Sequence, residues 1–253
     1  TASRADDLVA EGAVLADSVA EAVAASPLVI VSLTDYSIMY ELLDSAGDAL
    51  AGRVVANLSS DTPDETRRAG RWLADRGAEL IAGGIMVPAM VIGTDGSYVF
   101  YGGREELVAE HADTLSTIGR IDYRGEDIGL AQLWYQANLD VFLSIGSSFA
   151  HASALLGTAG VKAAEFAPYA RQIIELAADM TQSAEEIDSG EHRDEGASLK
   201  MMSASIDHVV ETSRDVGIDD AFPVASQKYY RRAVEAGSGH LGWTAIHDVM
   251  KKD

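Results

Sequence analysis

The 253 residues include no cysteine, which excludes a disulfide framework, a thiolate metal site and a cysteine nucleophile, and suits a reducing compartment. Basic residues are scarce: 19 Lys and Arg stand against 40 Asp and Glu, a formal net charge of -21. So acidic a chain argues against nucleic acid or an anionic membrane as main partner, because both attract basic faces. No HExxH, GxSxG or P-loop occurs, and the six histidines, at 111, 151, 192, 208, 240 and 247, lack a ligand spacing; no metal is expected. Neither a signal peptide nor an internal repeat stands out, and a cytoplasmic location is the expectation.

What is present is 47% hydrophobic residues, enough for a sizeable core in one large or two modest domains. Two domains are expected. The stretch 126–157 has no proline, opens at Asp127 as a helix N-cap and meets Gly157 where a left-handed residue would stop it. It reads as one helix spanning about 40 Å, apolar or small nearly all round and so buried on most sides. Gln132, Gln136, Asn138, Asp140 and His151 interrupt it, which argues against a membrane span and requires that buried polar groups find partners.

Ahead of this helix, strands alternate with helices. Leu28 to Leu33 (LVIVSL) and Arg53 to Leu58 (RVVANL) are β-branched-rich runs of the kind buried on both faces of a parallel sheet. Ser18 with Glu21, and Thr62 with Pro63 and Glu65, form capping boxes. Further strands are expected from Glu79, at 97–102 and at Arg120 to Tyr123, with a helix around Glu105 to His111. Beyond the long helix only helices are drawn, at about 163–178, 180–189, 198–216, 222–236 and 243–252. The segment GEHRDEG, 190–196, reads as a loop with its charges in water.

A literal GxGxxG lies at 237–242 (GSGHLG). It follows a charged helix and no strand, so it lacks the context that gives the dinucleotide fingerprint its physical sense, and it reads as a turn between helices. Thr1, Ser3 and Arg4 carry the hydroxyls and guanidinium that suit a ribose 2′-phosphate just past a strand, and equally suit a helix cap with a surface arginine. Leu33-Thr34-Asp35 and Asn57-Leu58-Ser59-Ser60 are small polar turns at strand C-termini, where open α/β sheets bind ligands, and also where helices are capped. Trp134, Tyr135 and Asn138 form a polar-aromatic group about one turn long; buried Tyr and Trp most often satisfy their donors structurally.

The blocks TASRADDLVAEGA, SVAEAVAASPLVIVSLTDY, GRVVANLSSDTPDETRRAGRWLADRGAELIAGGIMVP, GEDIGLAQLWYQANL and LLGTAGVKAAEFAPY together resemble the NADPH-dependent imine reductases, relatives of the β-hydroxyacid dehydrogenases. The resemblance covers essentially the whole chain. It implies an α/β N-terminal Rossmann-type domain (1–125) that binds NADPH, a long interdomain helix (126–157), and an all-α C-terminal dimerisation domain (158–253). It also implies a homodimer by reciprocal swapping of the helical domain, and reduction of cyclic or preformed imines to chiral amines. By position, Thr1, Ser3 and Arg4 match the segment holding the 2′-phosphate, and Leu33, Thr34, Asp35, Asn57, Ser59 and Ser60 match turns that pass the phosphates and nicotinamide ribose. Met86 to Pro88 match the loop beside the nicotinamide. Tyr135 matches the catalytic helix position, where relatives carry aspartate, tyrosine or lysine. Trp134, Asn138, Met180, Met202 and Ser205 fall near substrate-pocket positions.

The pattern departs from the family ahead of Thr1, where a strand, a glycine-rich turn, a helix and a second strand are expected. Two other readings follow from the residues: a β-hydroxyacid dehydrogenase, against which the missing helix lysine counts, and a non-catalytic swapped-dimer binding protein.

Overall fold

The computed structural model describes residues 5–194 and 196–251. The chain divides into two compact units, Thr1–Val141 and Phe142–Asp253. Thr1, Ser3 and Arg4 lie outside the described residues.

In the first unit the order is α1 (Asp6–Ala10), α2 (Val19–Ala24), β1 (Leu28–Val31), α3 (Tyr36–Asp44), β2 (Val54–Asn57), α4 (Pro63–Ala74), β3 (Glu79–Ile85), β4 (Tyr98–Gly102), α5 (Glu105–Glu110), α6 (Ala112–Leu115) and β5 (Arg120–Tyr123). The Rossmann-type reading holds: β1, β2 and β3 are parallel neighbours, with Val31 opposite Asn57 and Asn57 opposite Ala82. The strands follow chain order β1-β2-β3-β4-β5 across the sheet. β4 reverses, running antiparallel to β3 and parallel to β5. The connection 86–97 contains only a 3₁₀ turn at Ala89–Val91, and without a crossover helix the chain can only return alongside.

The core lies on both faces of the sheet. On one, Tyr36, Met39 and Leu43 of α3 and Ala69 and Leu73 of α4 pack over Val31 and Val55. On the other, Ala56, Ile81, Val99 and Tyr101 meet Leu107, Val108 and Leu115. The capping chemistry is largely as read: the Ser18 hydroxyl accepts from the Glu21 amide at 3.1 Å and the Thr62 hydroxyl from the Glu65 amide at 3.2 Å. Glu65 does not reach back, however. Its carboxylate accepts from the Tyr40 hydroxyl at 2.8 Å and pairs with Arg68.

The long helix, α7 (Ile128–Gly157), begins as expected, with the Asp127 carboxylate accepting from the Gly129 amide at 3.0 Å. Two expectations for it fail. Gly157 is its last residue, and the left-handed residue is Gly160, with φ 80°. Nor is it buried on most sides: Val141, Phe142 and Leu143 are 62%, 67% and 59% exposed. An apolar helix is covered only where its neighbours reach, and here they cover one face of its first turns, Gly129, Ala131 and Gln132 being buried.

In the second unit follow α8 (Ala163–Ala178), α9 (Ala184–Ser189), α10 (Leu199–Asp215), α11 (Ala221–Ala233) and α12 (Ile246–Met250). Leu199, Ala233 and Ala245 form its buried centre, with Tyr230, Leu241 and Ile246 around them. Gly237, with φ 94°, turns the chain after α11, so GSGHLG is a turn between helices, as read. Residues 190–194 form a loop with Glu191, Arg193 and Asp194 exposed, as read, and only His192 departs from that reading. His192 is turned inward, its side chain 3% exposed, with Nδ1 3.0 Å from the Thr244 hydroxyl and Nε2 2.9 Å from the Asp248 carboxylate. The Thr244 hydroxyl donates to Glu186, and Arg193 pairs with Glu186 at 3.3 Å. A loop closed onto neighbouring elements offers polar partners that a solvated loop lacks, and its imidazole has taken them.

Candidate active site

β1, β2 and β3 end on the same edge of the sheet, and the turns that follow them are tied together. The Leu33 amide donates to the Ser59 hydroxyl at 2.9 Å, and the Ser59 amide donates to the Asn57 carboxamide at 3.0 Å. Asn57 Nδ2 in turn lies 3.0 Å from Met39 Sδ. Asn57 and Ser59 are therefore buried builders of this edge, while Thr34 is exposed and Leu33, Asp35 and Ser60 are partly so. Asp35 caps α3, accepting from the Ile38 amide at 3.2 Å and the Ser37 hydroxyl at 2.5 Å. The Ser37 hydroxyl, with the Ile38 amide, holds this carboxyl below its usual range.

The first turns of α7 cross this edge, and the polar residues that interrupt its apolar run are what pin it there. Gln132, fully buried, donates from Nε2 to the carbonyls of Ser59 and Gly83, both at 3.0 Å, and its Oε1 accepts from the Asp61 amide at 3.4 Å. Gln136, one turn on, donates to the Ser60 hydroxyl at 3.2 Å and the Asp61 carbonyl at 3.0 Å. Arg67 of α4 grips Asp127 with two bonds, of 2.9 and 2.7 Å, and this grip, the larger cause, lowers the carboxyl's pKa with the Gly129 amide.

Tyr135 lies on the same face of α7, half-buried, in one apolar cluster with Ala82, Phe100, Ala131, Met86 and Tyr98. Its side chain rests on Gly84 of β3, where an added Cβ would stand 2.8 Å from Tyr135 Cβ. The ends of β2 and β3, Met86 and Tyr135 thus form one surface. Trp134 is placed differently: 44% exposed, it lies against Phe100 with ring centroids 5.7 Å apart, and the Arg124 guanidinium sits 3.8 Å over its ring. Asn138 bends back to donate to the Trp134 carbonyl at 2.8 Å. Met180, Met202 and Ser205 belong to the second unit. There Met180 flanks a cleft with Ile173, Leu176 and Ala177, Met202 is partly buried, and the Ser205 hydroxyl donates to the Met201 carbonyl at 3.1 Å. Among the described residues no group of His, Asp and Glu is arranged to hold a metal ion.

Sequence reasoning did not assign Gln132, Gln136, Asp61 or Gly84 to this edge. The signal for the first two is their spacing of four residues in an otherwise apolar helix, which puts both carboxamides on one face. Gly84 carries no comparable mark.

A family model for the NAD binding domain of 6-phosphogluconate dehydrogenase matches residues 1–129, and one for the C-terminal domain of NADPH-dependent reductive aminase-like proteins matches residues 127–252. The imine reductase of Streptomyces aurantiacus is 42% identical, with a TM-score of 0.91 over 100% of this chain and 89% of that one. A reductive aminase from Aspergillus terreus, solved with NADPH and ethyl levulinate, is 30% identical, with a TM-score of 0.93 over 99% and 88% of the two chains. The NADPH-dependent reductive aminase of Aspergillus oryzae is 27% identical over 256 residues, 99% of this chain and 87% of that protein.

Proposed function

The chain belongs to the NADPH-dependent imine reductase family, and we propose on that premise that it reduces the C=N bond of imines to amines at the edge formed by β1, β2, β3 and α7. The observation that carries the placement is the half-buried Tyr135 side chain packing, like Met86, against the Ala82, Phe100 and Ala131 cluster where the parallel strands end. The edge suits the cofactor: the carboxyl ends of parallel strands are where open α/β sheets take nucleotides. Leu33, Thr34 and Ser60 are at least partly open to a ligand there, while Asn57 and Ser59 hold the turns in shape. NADPH, when bound, supplies the hydride to the imine carbon. Met86 gives an apolar wall beside that carbon, and the Tyr135 hydroxyl donates a hydrogen bond to the nitrogen, which gains its proton from the phenol directly or through water. A fixed phenol on one side of the substrate favours one face and hence one amine enantiomer.

We further infer a homodimer in which the helical domains are exchanged. It is supported by exposed apolar side chains on α7 and α8: Phe142 67%, Leu143 59%, Tyr169 67%, Ile173 64% and Leu176 66%. Met180, next to Leu176 in the second unit, then offers an apolar wall to the partner's edge. α7 is long and apolar enough by composition to cross a membrane, but its buried, hydrogen-bonded Gln132 and its pinned Gln136 fit docking on protein. With no cysteine in the chain, a cytoplasmic location is the reading that fits.

Tyr135→Phe tests the assignment. With a cyclic imine and NADPH, kcat should fall by about 100-fold, the lower range for a lost general acid, while NADPH binding by fluorescence titration stays near wild type. Unchanged turnover removes Tyr135 from the chemistry; turnover of a hydroxy acid in preference to the imine removes the activity.

A further inference from the structure

We propose that Gly84 and Gln132 are positioning residues for the reaction, together fixing where the Tyr135 phenol stands, so that added volume at position 84 slows imine reduction through Tyr135. The inference rests on Tyr135 meeting the substrate nitrogen.

The first observation concerns space. Gly84 lies inside β3 and its φ is not positive, so its backbone would accept an L side chain; the neighbour excludes one. A Cβ at this position would lie 2.8 Å from Tyr135 Cβ, 2.9 Å from Cδ2 and 3.0 Å from Cγ. The nearest of these atoms is bonded directly to the helix backbone. Rotation about χ1 moves Cγ and Cδ2 but leaves Cβ where it is, so the clash is relieved only if α7 withdraws from β3. Glycine at 84 therefore sets the depth at which Tyr135 sits.

The second observation is polar and independent of the first. Gln132 donates to the carbonyl of Gly83, which belongs to the peptide joining Gly83 to Gly84, and also to the carbonyl of Ser59 in the turn after β2. A fully buried carboxamide held by β3 and by the turn after β2 loses both bonds if the helix slides or turns. It fixes the height of α7 over the sheet, one turn before Tyr135. Neither residue touches the reacting atoms; each acts through the phenol.

The test is a pair of double-mutant cycles on the full chain, assayed with a cyclic imine and NADPH: Gly84→Ala with Tyr135→Phe, and Gln132→Met with Tyr135→Phe. Methionine keeps the length of glutamine and removes its hydrogen bonds. Gly84→Ala and Gln132→Met should each lower kcat by about 10- to 100-fold, as expected when a reacting group is displaced by about 1 Å, with the KM for NADPH changed less than about threefold. In the Tyr135→Phe background each should change kcat by less than about twofold, because the group they position is already gone. If the losses multiply, or if Gly84→Ala and Gln132→Met leave kcat at wild type, the positioning role is overturned while Tyr135 keeps its own. If Tyr135→Phe alone is silent and Gly84→Ala still lowers kcat, the assignment of Tyr135 fails and the positioning role with it. Should Gly84→Ala not fold, the Gln132→Met cycle decides by the same readout.

Discussion

Tyr36 shows how one side chain ties the fold to pH. It opens α3 fully buried, with its hydroxyl 3.4 Å from Thr66 Oγ1, and burial pushes the phenol from 10.0 up to about 12. The folded state thus favours the neutral form more than the unfolded state does. That preference stabilises the protein fully below pH 10.0 and is lost as pH rises toward about 12. Burial also raises Tyr40 and Tyr101, so the decline has several contributors. Chemical denaturation followed by circular dichroism should show stability falling across this alkaline window, and Tyr36→Phe should flatten the fall without abolishing it. A Tyr36→Phe profile parallel to wild type would assign the decline to the other phenols. At neutral pH the same substitution should cost no more than about 1 kcal/mol, the value of one modest hydrogen bond.

At the scale of the element, α7 depends on its first residue pair. Asp127 caps the helix through the Gly129 amide and is held by Arg67. Both Asp127 and Arg67 are more than a third exposed, so the ion pair adds little and the cap dominates. Asp127→Ala should lower stability by about 1 kcal/mol at pH 7. Because the carboxyl's folded pKa is depressed below 3.8, its contribution is present above that value and lost as pH falls through the folded one; the difference from wild type should close in acid, as thermal melts would show. This cap was legible in the sequence, as were the Ser18 and Thr62 caps and the β1 and β2 runs, because such signals lie within a few residues. The partners of Gln132 were not, since Ser59 and Gly83 are 73 and 49 residues away. The reversal of β4 was missed because strand direction is set by what the connection can span. Gly84 was illegible for a third reason: its requirement comes from a neighbour's Cβ and not from its own backbone. The proposed site was therefore visible as a set of strand ends, and the residues we propose to aim Tyr135 were not.

For the whole molecule, the proposed exchanged dimer makes a plain claim about mass. Size-exclusion chromatography with light scattering should give two chains per particle for wild type, and replacing Phe142 and Ile173 with glutamate should give one, since each buries charge in an apolar contact. A wild-type particle of one chain would assign those faces another use. The bare apolar length of α7 beyond Val141 carries a further consequence, because it sits on a chain of net charge -21. Two such polyanions repel at a distance while their uncharged helix flanks attract on contact. Dissolved salt screens the first force and leaves the second intact, so pairing should tighten as ionic strength rises and loosen on dialysis into water.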